Sequence, residues 1–122
     1  CDFRCEGFIK NPRLLSLYYS DADFFVMPSY QEAFAQTPLE SMSCGTPVIA
    51  FPCSGIEDII APYNGISCKN FTTEALIDAI KEALNKQYNR HDIRNNVVDR
   101  FSYRKNAKQY LRLYEEILKK QD

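Results

Sequence analysis

Short apolar runs alternate with amphipathic segments over the first 70 residues, the pattern of βα units laid around a parallel sheet. Residues 5–9 start it as a weak strand. Asn11 and Pro12 then open a helix whose Leu14, Leu15, Leu17, Tyr18 and Tyr19 form one stripe, ending near Ser20 and Asp21. Phe24-Phe25-Val26-Met27 is an unbroken apolar run stopped by Pro28, as expected for a strand covered on both faces. A helix over residues 38–44, capped by Thr37, is predicted to stop at Gly45, which suits the left-handed conformation after a helix. Pro47-Val48-Ile49-Ala50-Phe51 reads as the next buried strand, closed by Pro52. Ser54-Gly55-Ile56-Glu57 repeats the cap-and-glutamate pattern and predicts a short helix to about residue 60. Asn64-Gly65 turns the chain into a short last strand over residues 66–68.

From Thr72 the chain reads as continuous helix, with Leu76, Ile77, Ile80 and Leu84 on one face. Segments 91–101 and 103–119 follow, and in the latter Tyr110, Leu113, Tyr114, Ile117 and Leu118 keep three-and-four spacing. Such stripes are core or lobe-packing faces, not a cofactor box. The fold class is α/β: a Rossmann-like parallel sheet of three to four strands with flanking helices and a helical C-terminal tail, one domain over residues 1–122. An open doubly wound sheet carries five or six strands, so the chain reads as the later part of a larger lobe.

Composition narrows this further. The 122 residues, 45% hydrophobic and 25% charged, suit one soluble domain with a single core. The net charge of −1 predicts no bulk attraction to nucleic acid. Residues 1–68 hold 3 basic and 8 acidic side chains, a net −5, whereas residues 69–122 hold 12 and 8, a net +4. The basic tail reads as a solvated helix face, with an anionic surface as the other reading. No run approaches the roughly 18 apolar residues of a membrane span, and no charged-then-apolar leader is visible, so a cytoplasmic location is expected, with peripheral membrane contact left open. Cys1, Cys5, Cys44, Cys53 and Cys68 lack the close pairs of a zinc site, and His91 sits in the polar tail. Free buried thiols are expected, and no metal. Cys44, at a probable helix end, stands at the wrong terminus to have its thiol pKa lowered.

Candidate chemistry gathers after the strand that ends at Pro28. Ligands of open α/β sheets bind beyond the carboxyl ends of the strands, where the loop over residues 29–37 falls. The amides of Phe34, Ala35, Gln36 and Thr37 are expected to point outward, unpaired, with the positive end of a helix dipole behind them, which suits a phosphate. Glu40 reads two ways. It could bond back to the Thr37 amide in a capping box, or turn its oxygens outward to paired sugar hydroxyls. Glu32, in the loop with no helix to support, is a binding group or a solvated carboxylate.

The stretch Phe24-Phe25-Val26-Met27-Pro28-Ser29, then Glu32 through Gln36-Thr37-Pro38-Leu39-Glu40, then Gly45-Thr46-Pro47-Val48, strongly resembles the C-terminal half of retaining GT-B glycosyltransferases of the family 4 type. Two glutamates separated by seven residues, a small-residue helix and Gly-Thr-Pro-Val carry the resemblance. Gly7 before Phe8-Ile9, the Ser54-Gly55-Ile56-Glu57 turn and Asn64-Gly65 add to it. It implies a partial GT-B C-terminal lobe that binds a nucleoside diphosphate sugar as substrate, with an N-terminal lobe as partner and no cofactor or metal. By resemblance Glu32 contacts the donor sugar near the anomeric centre as the catalytic candidate. The amides from Phe34 to Thr37 would hold the diphosphate, Glu40 the ribose hydroxyls, and the backbone around Phe8 and Ile9 would border the base.

Two departures stand out. Ala33 and Ala35 replace glycines that let the backbone approach phosphates. Arg4, Lys10 and Arg13, the only cations in the first 68 residues, do not stand where the family brings an Arg and a Lys to the diphosphate. An epimerase or phosphorylase would need a different loop after Pro28 or a cofactor lysine. A non-enzymatic flavodoxin-like interaction or regulatory module is the alternative from another class, although a phosphoacceptor receiver needs an aspartate after the strand, and Asp21 and Asp23 precede it.

Overall fold

A computed structural model describes residues 2–120. Six helices and three strands follow in the order α1 (Pro12–Asp21), β1 (Phe25–Met27), α2 (Gln36–Ser43), β2 (Val48–Ala50), α3 (Ser54–Glu57), β3 (Gly65–Ser67), α4 (Thr73–Leu84), α5 (Arg90–Phe101) and α6 (Tyr103–Lys119). The strands form one parallel sheet in the order β1-β2-β3, with Val26 opposite Ile49 and Ile49 opposite Ile66. The sheet has three strands at the lower end of the expected count. Residues 5–9 are not a strand: Phe8 is 87% exposed and nothing among the described residues pairs with the segment, so no ladder or core holds it extended.

The sheet divides two packed layers. On one side Met27, Val48 and Ala50 meet Met42 of α2, Ile56 of α3, and Ile93 and Val97 of α5. On the other side Ile49 and Ile66 meet Ala79 and Ala83 of α4, with Phe51 and Cys68. Only β2 is buried at every residue. Because α4 packs over β2 and β3, the second face of β1 is open and Val26 is 39% exposed, so the expectation of a strand covered on both faces fails there. Burying a side chain such as Ile49 or Ile93 stabilises the fold by about 1.5–3 kcal/mol.

Caps set the helix boundaries. Asn11 accepts hydrogen bonds from the Arg13 and Leu14 amides, with Pro12 as the first residue of α1, as expected. Thr72 and Asn89 cap α4 and α5 in the same way. Two expected caps do not form. The first turn of α2 starts at Gln36 after Ala35 instead of at Pro38 after Thr37, and α3 follows Cys53 with no side-chain cap and ends at Glu57. At the far end of α2, Gly45 takes a φ of +81°, and its amide and that of Thr46 return to the Met42 and Ser41 carbonyls, closing the helix as the glycine predicted. The α6 stripe is not core: no described α6 residue is buried, and Tyr110, Leu113, Tyr114 and Ile117 are each about half exposed. No described helix is long and apolar enough to cross a membrane.

Candidate functional site

The loops leaving the carboxyl ends of the three strands are tied together by aromatic rings. Tyr30, after β1, stacks on Phe71, before α4, with centroids 5.6 Å apart, and both rings lie 5.6 Å from Phe51, which follows β2. Close backbone approach fixes the same loop from below. A methyl at Gly55 would stand 2.8 Å from the Glu32 carbonyl oxygen, so the loop and the start of α3 touch only because that residue has no side chain. The segment from Pro28 to Ala35 is therefore seated on the sheet's carboxyl edge, the usual ligand position in open α/β sheets.

At the start of α2 the amides of Phe34, Ala35 and Thr37 find no acceptor among the described residues. The fourth expected donor is occupied: the Gln36 amide donates to the Phe34 carbonyl at 2.9 Å, a local turn made possible by the helix starting two residues early. These amides stand at the amino end of α2, where the helix dipole is positive; Phe34 and Thr37 are exposed, whereas Ala35 is buried, so the expectation of an outward amide does not extend to it. Thr37 supplies no cap and its hydroxyl points to the Met27 sulfur at 3.7 Å. The opposite end of α2 is complemented by the Arg94 guanidinium, which donates to the Ser43 carbonyl.

Glu40 does not form the capping box. Its Oε2 accepts from the Tyr19 hydroxyl at 3.2 Å, and the carboxylate is exposed. Tyr19 lies edge-on to Phe25 at 5.6 Å, and its own carbonyl accepts from the Thr46 hydroxyl at 2.5 Å. Thr46 in turn accepts from the Arg90 guanidinium at 2.6 Å, which also donates to the carbonyls of Ser20 and Ala22 at the carboxyl end of α1. Burial first, and then the neighbouring Glu40 carboxylate, push the Tyr19 phenol up to about 12, so it stays a protonated donor at neutral pH.

Gln36 and Glu40 line one groove of about 370 Å³ between α2 and α5, closed by Leu39, Val97 and Phe101. Glu32, Phe34, Ala35 and Thr37 do not line it, so the two glutamates do not meet in this groove. Glu32 is half-buried in its loop, and its carboxylate makes no hydrogen bond or ion pair among the described residues. Phe8 is exposed and Ile9 half-buried, and neither lines the groove. A larger hollow of about 510 Å³ runs along the open edge of β3 beside α4, away from these residues. Of the described cysteines, all free, Cys53 and Cys68 are buried, Cys44 is partly so and Cys5 is exposed, so the buried-thiol expectation holds for two; Cys1 lies outside the described residues.

Residues 4–100 match the family described as glycosyl transferases group 1. The chain belongs to that family. Its GT-B α/β fold has a solved counterpart in the sucrose-phosphate synthase of Thermosynechococcus elongatus, which it matches at 32% identity and a TM-score of 0.76 over 86% of this chain and 28% of that one. Among curated relatives, the N,N'-diacetylbacillosaminyl-diphospho-undecaprenol alpha-1,3-N-acetylgalactosaminyltransferase of Campylobacter jejuni is 32% identical over 103 residues, covering 81% of this chain and 27% of its own. A glycogen synthase of Lactococcus lactis is 30% identical over 111 residues, covering 81% and 23%. The chain thus spans about a quarter of the length of the relatives it matches.

Sequence reasoning passed over two sets of residues around the group 1 loop. The Tyr30, Phe51 and Phe71 trio is scattered over 42 positions, and no local period connects its members. Tyr19 was visible only as one more apolar position in the α1 stripe. Its hydroxyl was the available signal, since a phenol on a helix stripe needs a partner when it is partly buried.

Proposed function

We propose that this chain is the donor-binding portion of a glycosyltransferase that moves a sugar from a nucleoside diphosphate sugar to an acceptor hydroxyl with retention of configuration. The observation that carries the reading is the trio of unpaired amides at Phe34, Ala35 and Thr37, at the amino end of α2 and inside the family-matched segment. As the anomeric bond breaks, charge builds on the departing diphosphate, and fixed amides aimed at it stabilise the transition state without reorganising. Helix dipole and amides together supply roughly half a positive charge there.

In this reading Glu32 sits near the anomeric carbon and acts by positioning the donor sugar, Glu40 receives ribose hydroxyls, and the backbone at Phe8 and Ile9 borders the base. Gln36 contributes its place in the groove beside Glu40, its amide being engaged. No cofactor or metal takes part. The acceptor site and further catalytic groups belong to a partner N-terminal lobe, and the cytoplasm, with peripheral contact at the membrane's inner face, is the proposed location. The relatives' printed names, a polysaccharide synthase and a transferase whose substrate name includes a diphospho-undecaprenol, support polysaccharide or lipid-linked acceptors for the parent enzyme.

The test is amide-shift mapping of the isotopically labelled 122-residue chain with UDP, GDP and ADP at millimolar concentration. Shifts centred on residues 34–40 for at least one nucleotide are expected. A spectrum unmoved there by all three rejects the donor reading.

A further inference from the structure

We propose that Tyr19 is a positioning residue for donor recognition, holding Glu40 through its Oε2 so that the remaining carboxylate acceptors are set to receive a ribose hydroxyl. The inference rests on the donor reading above and adds the residue that orients one of its contacts.

The geometry separates the work of the ring from that of the hydroxyl. The Tyr19 ring packs edge-on against Phe25, a contact that phenylalanine would keep, whereas the hydroxyl has Glu40 as its hydrogen-bond partner at 3.2 Å. An exposed glutamate with a free side chain samples many rotamers, and binding must order it. A donor fixed on a neighbouring helix has already done so, which raises affinity without adding a ligand contact. A carboxylate offers about four acceptor sites, and Tyr19 occupies one, leaving Oε1 and one lone pair of Oε2 for a ligand.

Tyr19 is itself held in place. Its carbonyl is taken by Thr46, and Thr46 by Arg90, whose guanidinium also clamps the Ser20 and Ala22 carbonyls beside it. The carboxyl end of α1 is therefore fixed to α5 and to the turn after α2, and the phenol reaches Glu40 from a rigid base. Thr46 stands in the Gly-Thr-Pro-Val stretch, so the same turn that ends α2 orients the side chain on its second turn.

The experiment compares Tyr19→Phe and Glu40→Gln with the unaltered chain, titrating whichever of UDP, GDP or ADP binds, in its ribo, 2′-deoxy and 3′-deoxy forms. The unaltered chain should prefer the ribo form. Tyr19→Phe should weaken the ribo form roughly three- to tenfold while leaving at least one deoxy form unchanged, so that discrimination collapses. Glu40→Gln should remove the discrimination, and the double variant should be no worse than Glu40→Gln. Amide dispersion checks that each variant is folded. Should Tyr19→Phe unfold the chain, the Glu40→Asp variant, which draws the carboxylate back from Tyr19 while keeping its charge, carries the same expectation. Equal weakening of ribo and deoxy forms, or discrimination retained without the phenol, overturns the inference and leaves the donor reading standing. No binding by the unaltered chain overturns both.

Discussion

Burial of Tyr19 and, after it, the Glu40 carboxylate to which its hydroxyl donates give the chain an alkaline signature. Its folded-state value of about 12 exceeds the ordinary 10, so the folded chain holds the phenolic proton more tightly than the unfolded chain does. The stabilisation is fully present below pH 10 and is lost as pH rises from 10 through 12. Tyr18, beside Glu6, and partly buried Tyr88 are raised too, so the measurement is the tyrosinate absorbance of the unaltered chain minus that of Tyr19→Phe. The difference should titrate near 12 and move toward 10 in Glu40→Gln. A difference curve centred at 10 in the unaltered chain would remove the Tyr19 contact. The stretch that carries the candidate site was legible as a loop running into a helix amino end, whereas the roles of Glu32 and Glu40 came from family resemblance and not from spacing. The choice between the two roles of Glu40 was not legible, because it turns on a phenol 21 positions away. Local pattern carries no information about which donor a long-range packing brings to a carboxylate.

The elements were read with more success where their signals were local caps and less where tertiary contacts set the ends. Asn11, Thr72, Asn89 and Gly45 mark helix termini through chemistry confined to one turn. The early start of α2 and the absence of a strand at residues 5–9 depend on neighbours the pattern does not name. Two glycines make the distinction measurable. Gly45 takes a positive φ and an added methyl would sit 2.7 Å from the Arg90 carbonyl, so Gly45→Ala should cost about 2–4 kcal/mol in chemical denaturation. Gly55 has an ordinary φ and abuts the Glu32 carbonyl at 2.8 Å, so Gly55→Ala should cost about 1–3 kcal/mol and also shift the amide resonances of residues 32–37. Loop resonances undisturbed by Gly55→Ala would show that the Glu32 loop is not seated on α3.

At the scale of the whole molecule, stability and the apolar stripe of α6 are decoupled. The two packed layers end at α5, and α6 keeps Tyr110, Leu113, Tyr114, Ile117 and Leu118 largely in solvent. A chain ending at residue 102 should therefore melt within about 3 °C of the full one by circular dichroism, given that a change of about 1 kcal/mol moves a domain of this size by several degrees. A drop beyond about 8 °C would mean that α6 contributes to the core after all. The α/β class was legible because both layers are built from periods in the chain, whereas the openness of β1 and α6 reflects which surfaces meet, a property of the assembled body. The Arg90 clamp adds a consequence for biogenesis. The guanidinium that fastens Ser20 is 70 residues downstream of it, so at the usual 5–20 residues per second a nascent chain emerging from the ribosome would wait on the order of 4–14 s before the first helix could lock and present its phenol to Glu40.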